Sequence, residues 1–340
     1  VRTGQGGTTG AATWRDPAWR AAALDWASAH LARAGLVPAG EVEQPHVRAW
    51  STAFRLPVRG GGSVWLKAVG PGSAQEPVLA EALGRWVPDR VLVPLAVDPE
   101  RRLVLLPDGG RTLRQSGPDL SSWARMLQAY ADLQVRLVPH AEAMVHAGVP
   151  DCRAERLPDL VDDLLADDEA LLAGRPDGLR AADRAAVRAS SGRFADDCRR
   201  LDGGGVPATL QHDDLHDANV FADGGAYRFF DWGDASVAHP FLSLLVTLRM
   251  AARALDLPDG DPALRRLRDA YLEPWSSFGT PAQLLEQCGA ALRVAPLARA
   301  LSWRRILRGV HPGERAEWAA SVPGWTAEHL RPGPLSAVPA

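Results

Sequence analysis

The sequence predicts an α+β chain organised as two lobes, a small β-rich N-lobe and a larger, mainly helical C-lobe. Three observations predict it. Between residues 42 and 106 the apolar positions alternate in short runs. Beyond residue 121 they recur at helical spacing. Between the two regions Pro107-Asp108-Gly109-Gly110 breaks the pattern. At 340 residues the chain is long for one core and comfortable for two lobes. The expected organisation is a disordered tail over 1–12, an N-lobe over 13–107, a hinge linker over 108–112, a C-lobe over 113–330 and a C-terminal tail over 331–340.

Asp16-Pro17 followed by Ala18–Ala34 reads as a capped helix ended by Gly35, with Trp19, Ala23, Trp26 and Leu31 on its packing face. Strands are expected at Val42–Arg48, Ala53–Val58 and Ser63–Val69. Arg59-Gly60-Gly61-Gly62 forms a turn before the third, and the triple glycine lacks the spacing of a phosphate loop. In that third strand Val64, Leu66 and Ala68 share one face, and Lys67 lies on the other. A helix over Ala74–Trp86 carries Glu76 and Glu81. Strands at Val91–Val97 and Leu103–Leu106 complete the N-lobe. Helices are expected at Ser121–Leu137, Leu157–Leu172 and Leu179–Leu201, then at Phe241–Leu255, Pro262–Leu272, Pro281–Val310 and Gly313–Trp325. Strand character interrupts them over Thr209–Gly233.

A net charge of −3 gives no basic surface for nucleic acid. No apolar run approaches the roughly 20 residues of a membrane span. Val1–Ala12 has no apolar core of a secretory signal, and three scattered cysteines suggest a reducing cytoplasm. Of the 38 basic residues only Lys67 is lysine. Where arginine serves every generic need, a lone lysine points to a compact ammonium that a planar guanidinium cannot replace.

The chemistry concentrates in Leu210-Gln211-His212-Asp213-Asp214-Leu215-His216-Asp217-Ala218-Asn219-Val220-Phe221 and the stretch through Phe230-Asp231-Trp232-Gly233-Asp234. Asp223-Gly224-Gly225 joins two short apolar runs as a hairpin. That hairpin would bring Asn219 and Asp231 to its open end, two hard oxygen ligands suited to Mg²⁺, with Asp214 facing the same end. Phosphoryl transfer needs this inventory: a carboxylate for the attacking hydroxyl, oxygen ligands for the metal, and a cation for the phosphates. Lys67 is the only lysine able to supply the last.

His212-x-Asp214-x-x-x-x-Asn219 followed by Asp231-Trp232-Gly233 resembles the catalytic loop and metal-binding signature of the aminoglycoside phosphotransferase family, which is protein-kinase-like in fold. The resemblance covers most of residues 40–250. It implies ATP and Mg²⁺, Asp214 as catalytic base, Asn219 and Asp231 as metal ligands, Lys67 on the phosphates and Glu76 as the glutamate that orients it. Glu76 is preferred to Glu81 because it lies in the first helical turn. The acceptor implied is a hydroxylated small molecule, foremost an aminoglycoside or other aminated antibiotic, with sugars, choline-like alcohols and peptide antibiotics open.

The chain departs from the family at Asp213, where glycine is usual. A second carboxylate there could raise the pKa of its neighbour. The glycine-rich phosphate loop is also missing, and Ser51 and Thr52 are the candidates to replace it. His212 reads as a brace for the loop, Asp234 as a cap for backbone N–H groups, Asp162, Asp163, Asp167, Asp168 and Glu169 as a solvated face, and the C-terminal tryptophans as packing residues. Two other classes compete: a metal-dependent hydrolase using His212, Asp213 and His216, and a nucleotide-binding regulatory protein without catalysis.

Overall fold

Gly60, Gly61 and Gly62 have φ of +93°, +88° and +96°, a region that side chains disfavour. They reverse the chain between the second and third strands of the first sheet. The computed structural model describes residues 8–335, and these fall into two units. The first comprises residues up to Gly110 together with Phe230–Gly233 and Arg305–Trp318. The second comprises Arg111–Phe229, Asp234–Arg304 and the residues from Ala319 onward. Two later stretches thus group with the first unit.

In the first unit, α1 (Ala11–Arg15) and α2 (Pro17–Arg33) precede β1 (Glu43–Val47), β2 (Ser51–Pro57) and β3 (Ser63–Val69). Then come α3 (Glu76–Trp86), β4 (Ala96–Asp98) and β5 (Leu103–Pro107). The Asp16 carboxylate accepts the Trp19 N–H at 2.7 Å and starts α2. The five strands form an antiparallel sheet in the order β1-β2-β3-β5-β4. Phe54, Leu56, Val64, Leu66, Ala68, Leu103 and Leu105 pack with Ala23, Ala27 and Leu31 of α2. Burying each large apolar side chain contributes roughly 1.5–3 kcal/mol. Alternation then puts Lys67 on the sheet face opposite this core.

The strand expected at Val91–Val97 is reduced to a bridge at Val91 and the short β4. Pro94 has no N–H for a ladder, and Val93 and Leu95 are exposed. Residues 8–12, expected in a disordered tail, are held. Thr9 N–H donates to Gly309 O at 2.9 Å, His311 N–H donates to Thr9 O at 2.7 Å, and Ala11 N–H donates to Glu314 Oε2 at 2.6 Å. Partners some 300 positions away leave no local signal. The rest of that expected tail, 1–7, and positions 336–340 of the C-terminal one lie outside the described residues.

In the second unit, α4 (Leu120–Leu137), α5 (Ala141–His146), β6 (Asp151–Cys152), α6 (Leu157–Leu165), α7 (Ala181–Ala189) and α8 (Ser191–Gly203) precede the strands β7 (Thr209–Gln211), β8 (Val220–Asp223), β9 (Ala226–Phe229) and β10 (Ser236–Ala238). Helices α9 (Leu244–Ala254), α10 (Pro262–Leu272), α11 (Pro281–Arg308) and α12 (Ser321–Glu328) follow. The last turn of α11 groups with the first unit. Strand β10 runs parallel to β6 and antiparallel to β7, and β8 pairs with β9. Trp123, Met126, Leu127, Tyr130 and Leu133 bury one face of α4, which packs on α10. The helix expected to Leu172 stops at Leu165, the one expected over Leu179–Leu201 divides at Ser190, and the last begins only at Ser321. No helix among the described residues is long and apolar enough to cross a membrane.

Candidate active site

The first unit carries one charged cluster on the sheet face away from its core. Lys67 Nζ donates to Glu76 Oε1 at 2.6 Å and to Asp231 Oδ1 at 2.5 Å. Strand β3 supplies the lysine, the first turn of α3 the glutamate, and the segment after β9 the aspartate. Asp231 has φ +68°, a left-handed conformation that aspartate tolerates better than most side chains. Trp232 N–H donates to Glu76 Oε1 at 3.1 Å, and Gln75 Nε2 donates to Gly233 O at 2.9 Å. Glu76 Oε2 is buried without a hydrogen-bond partner.

Burial alone would lower the Lys67 pKa, but Asp231 and Glu76 hold it above its ordinary value, so the ammonium stays charged. Burial raises the Glu76 pKa, against the pull of Lys67 and the Trp232 N–H. Glu81 faces away, paired with Arg85 at 3.3 Å and half exposed. Ser51 and Thr52, the candidates for phosphate donors, lie at the start of β2. Thr52 is fully buried, and its hydroxyl donates to His46 O at 2.8 Å while accepting from Gln44 Nε2 at 2.9 Å. Its one hydrogen is spent. Ser51 is also buried, its Oγ 3.3 Å from His46 Nε2.

The second unit carries the loop between β7 and β8. Tyr130 Oη accepts the His212 N–H at 2.8 Å, and Thr247 Oγ1 donates to Leu215 O at 2.9 Å. His212, fully buried, accepts the Asp214 N–H on Nδ1 at 3.2 Å, which is a bracing role. Asn219 Nδ2 donates to Asp214 O at 2.9 Å, so the amide's nitrogen holds the loop and its oxygen is the part available as a ligand. On the other side Arg114 grips Asp217 Oδ1 through Nε at 3.1 Å and Nη2 at 2.7 Å.

Asp214, about a third exposed, accepts from Arg299 Nη2 through Oδ1 at 3.0 Å. Its Oδ2 lies 3.5 Å from both His216 Nε2 and Asn219 Nδ2. Burial would raise the Asp214 pKa, yet Arg299 and then His216 outweigh it and hold the carboxyl well below the usual range. The net direction is opposite to the like-charge elevation that Asp213 could produce. His216 is lowered by burial but drawn up to about 9 by Asp214 and Asp217, while the Ala218 N–H aimed at Nδ1 (3.1 Å) opposes a second proton there.

Sequence reasoning missed Arg299. It is buried on α11, 85 positions beyond Asp214, among many arginines. One signal was available: Asp213, Asp214 and Asp234 are more carboxylates than His216, the cation beside them in sequence, can balance. Asp234, read as a backbone cap, accepts from Arg299 Nη1 at 2.9 Å. The hydrolase cluster does not assemble, since Asp213 is engaged by Gln211 and Arg299. No three His, Cys, Asp or Glu side chains among the described residues gather around a metal position.

No protein-family model and no curated protein matches the chain. Solved structures do. A macrolide 2′-phosphotransferase from Brachybacterium faecium superposes with a TM-score of 0.58 at 19% identity, covering 88% of this chain and 98% of that one. A choline/ethanolamine kinase family protein from Mesorhizobium loti gives 0.57 at 19% identity, covering 92% and 93%. An amicoumacin kinase in complex with AMP-PNP, Ca²⁺ and Ami gives 0.53 at 13% identity, covering 88% and 91%. The chain therefore has the kinase-like α+β fold that the sequence predicts.

Proposed function

We propose that this chain is an ATP-dependent phosphotransferase that moves the γ-phosphoryl group, with Mg²⁺, onto a hydroxyl of a small molecule. The carrying observation is that the only lysine in the sequence, Lys67, is bonded to both Glu76 and Asp231. Asp214 and Asn219 in the second unit supply the remaining chemistry. The names of the structural neighbours support the reading, and one of them holds a nucleotide analogue with a divalent cation on this fold.

Lys67 would bind the phosphates, fixed in direction by Glu76. Asp214, kept strongly acidic by its cationic neighbours, is a weak base. It would accept a hydrogen bond from the acceptor hydroxyl, orient it, and take its proton late, as the new P–O bond forms and the bond from the γ-phosphorus to the ADP oxygen breaks in a loose transition state. Asn219 and Asp231 fit a hard cation. The Asn219 oxygen is the free end of its amide, and the Asp231 carboxylate is half exposed, with Lys67 on one oxygen. Mg²⁺ takes one or two such protein ligands besides phosphates. When bound it would neutralise phosphate charge. Ser51 and Thr52 are left out of the proposal. An antibiotic bearing hydroxyl and amine groups is the acceptor class we favour, since two of the neighbours are named for a macrolide and for amicoumacin, and an ATP user of this kind would work in the cytoplasm.

The test is incubation with Mg·ATP and a panel of aminoglycosides, macrolides and choline-like alcohols, with products mapped by mass spectrometry. One acceptor should gain a single phosphoryl group. Asp214→Ala should lower turnover by roughly 10²–10⁴-fold while nucleotide still binds. Zinc-dependent hydrolysis unaffected by Lys67→Ala would defeat the proposal and favour the hydrolase.

A further inference from the structure

We propose that Arg299 is a positioning residue for the transfer, fixing one oxygen of Asp214 so that the other is left for the acceptor; this rests on the phosphotransfer reading above. The two oxygens of Asp214 are unlike. Oδ1 accepts from Arg299 Nη2 at 3.0 Å. Oδ2 has only contacts of 3.5 Å, to His216 Nε2 and Asn219 Nδ2. That length is at the edge of hydrogen bonding, and a hydroxyl can replace it without breaking a strong bond.

The guanidinium is itself held. Nη1 donates to Asp213 Oδ2 at 3.2 Å and Asp234 Oδ2 at 2.9 Å, and Cζ lies 5.5 Å from the Trp303 ring centroid. Nε is buried without a partner, so the terminal nitrogens carry the hydrogen bonds of the group. Asp213 is tied onward. Its Oδ1 accepts from Gln211 Nε2 at 2.9 Å, and Gln211 Oε1 accepts from Ser236 Oγ at 3.0 Å. Gln211 and Ser236 are register partners of β7 and β10. A continuous chain therefore runs from the sheet through Gln211 and Asp213 to Arg299 and the reactive carboxylate. Arg299 is 5% exposed, and a buried planar fork of this kind resists rotation better than a surface cation. Asp213, the residue that departs from the family glycine, is an anchor in this device.

The experiment compares wild type with Arg299→Met, Asp213→Asn and the double variant. It measures Mg·ATP turnover with the best acceptor found, or Mg·ATP hydrolysis with water as acceptor, and nucleotide binding separately. Misplacing a reacting group by about 1 Å costs on the order of 100-fold. Arg299→Met should therefore lower kcat by about that factor with the nucleotide KM within about twofold. Asp213→Asn should give a smaller loss of the same kind. The double variant should match Arg299→Met within about threefold, because both residues act through one path. A crystal structure of Arg299→Met should show Asp214 displaced.

If Arg299→Met does not fold, Asp213→Asn and Asp234→Asn carry the test through the same kcat-against-KM split. Retained kcat, equal losses in kcat and nucleotide affinity, additive losses, or an unmoved Asp214 would each overturn the inference alone. A wild type that neither binds nor turns over Mg·ATP would instead overturn the phosphotransfer reading.

Discussion

Replacing Lys67 with methionine keeps the unbranched stem and removes the ammonium. It strips Glu76, 4% exposed in its side chain, of its only cation, leaving the Trp232 N–H as its one remaining donor at 3.1 Å. Oε2 has none to begin with. An unpaired buried carboxylate has an alternative to staying charged, which is to take a proton. From an ordinary glutamate pKa near 4.3, neutralisation at pH 7 costs about 3.7 kcal/mol and at pH 5.3 about 1.4 kcal/mol. Those figures are ceilings on the loss. The pH 7 value falls within the roughly 3–5 kcal/mol seen when one partner of a buried pair is removed.

The sign follows from proton binding. In the variant the folded Glu76 pKa rises further above its unfolded value, so above about pH 4.3 the native state binds more protons than the unfolded chain. Variant stability therefore falls as pH rises. Urea unfolding of both proteins at pH 7 and pH 5.3 should show the wild-type advantage shrinking to about 1 kcal/mol at the lower pH. A gap that is constant, or wider in acid, would refute the argument, because Glu76 would then have found another partner.

Three further outcomes are expected. Glu81→Gln should leave stability within about 0.5 kcal/mol and Mg·ATP turnover unchanged, since Glu81 meets only Arg85 on the surface; loss of turnover would reopen the choice between the two glutamates. Gly72→Ala places a Cβ 2.6 Å from Ile306 Cα and 2.8 Å from Arg305 O; backbone atoms cannot swing aside, so a loss of about 1–3 kcal/mol is expected by thermal or urea unfolding. Tyr130→Phe removes the oxygen that accepts the His212 N–H at 2.8 Å. The stranded buried donor should cost about 1–3 kcal/mol, measured by denaturation, and amide exchange at His212 should quicken.

Local chemistry made much of this legible. Three glycines located the β2–β3 turn, alternation set Lys67 on the face away from the core, and Asp16-Pro17 marked the start of α2. Asp223-Gly224-Gly225 announced the β8–β9 hairpin, whose register pairs Val220 with Phe229. The position of Glu76 in the first turn was enough to prefer it over Glu81. What escaped was long-range. Thr9 is ordered by Gly309 and His311, Phe230–Gly233 groups with a unit it follows by more than a hundred residues, and Arg299 reaches the loop from a late helix. The inward bonds of the Thr52 hydroxyl to His46 and Gln44 also escaped, because a hydroxyl near a strand start reads the same whichever way it faces.

The two clusters share one electrostatic property. In the first unit Lys67 faces two carboxylates, Glu76 and Asp231; in the second Arg299 faces three, Asp213, Asp214 and Asp234. Each is therefore short of positive charge over its directly bonded groups. On the proposed reading, this surplus of negative charge, which repels a bare triphosphate and attracts a divalent cation, would favour a nucleotide that arrives already neutralised by metal. The same surplus accounts for the division of labour between the cations. Arginine, with a broad fork, can bridge several carboxylates and hold a loop still. Lysine, whose single charge is held by two oxygens, would on the proposed reading turn from Asp231 towards a phosphate while Glu76 keeps it in place. A second guanidinium at position 67 would bind its carboxylates bidentately and have less freedom to make that exchange.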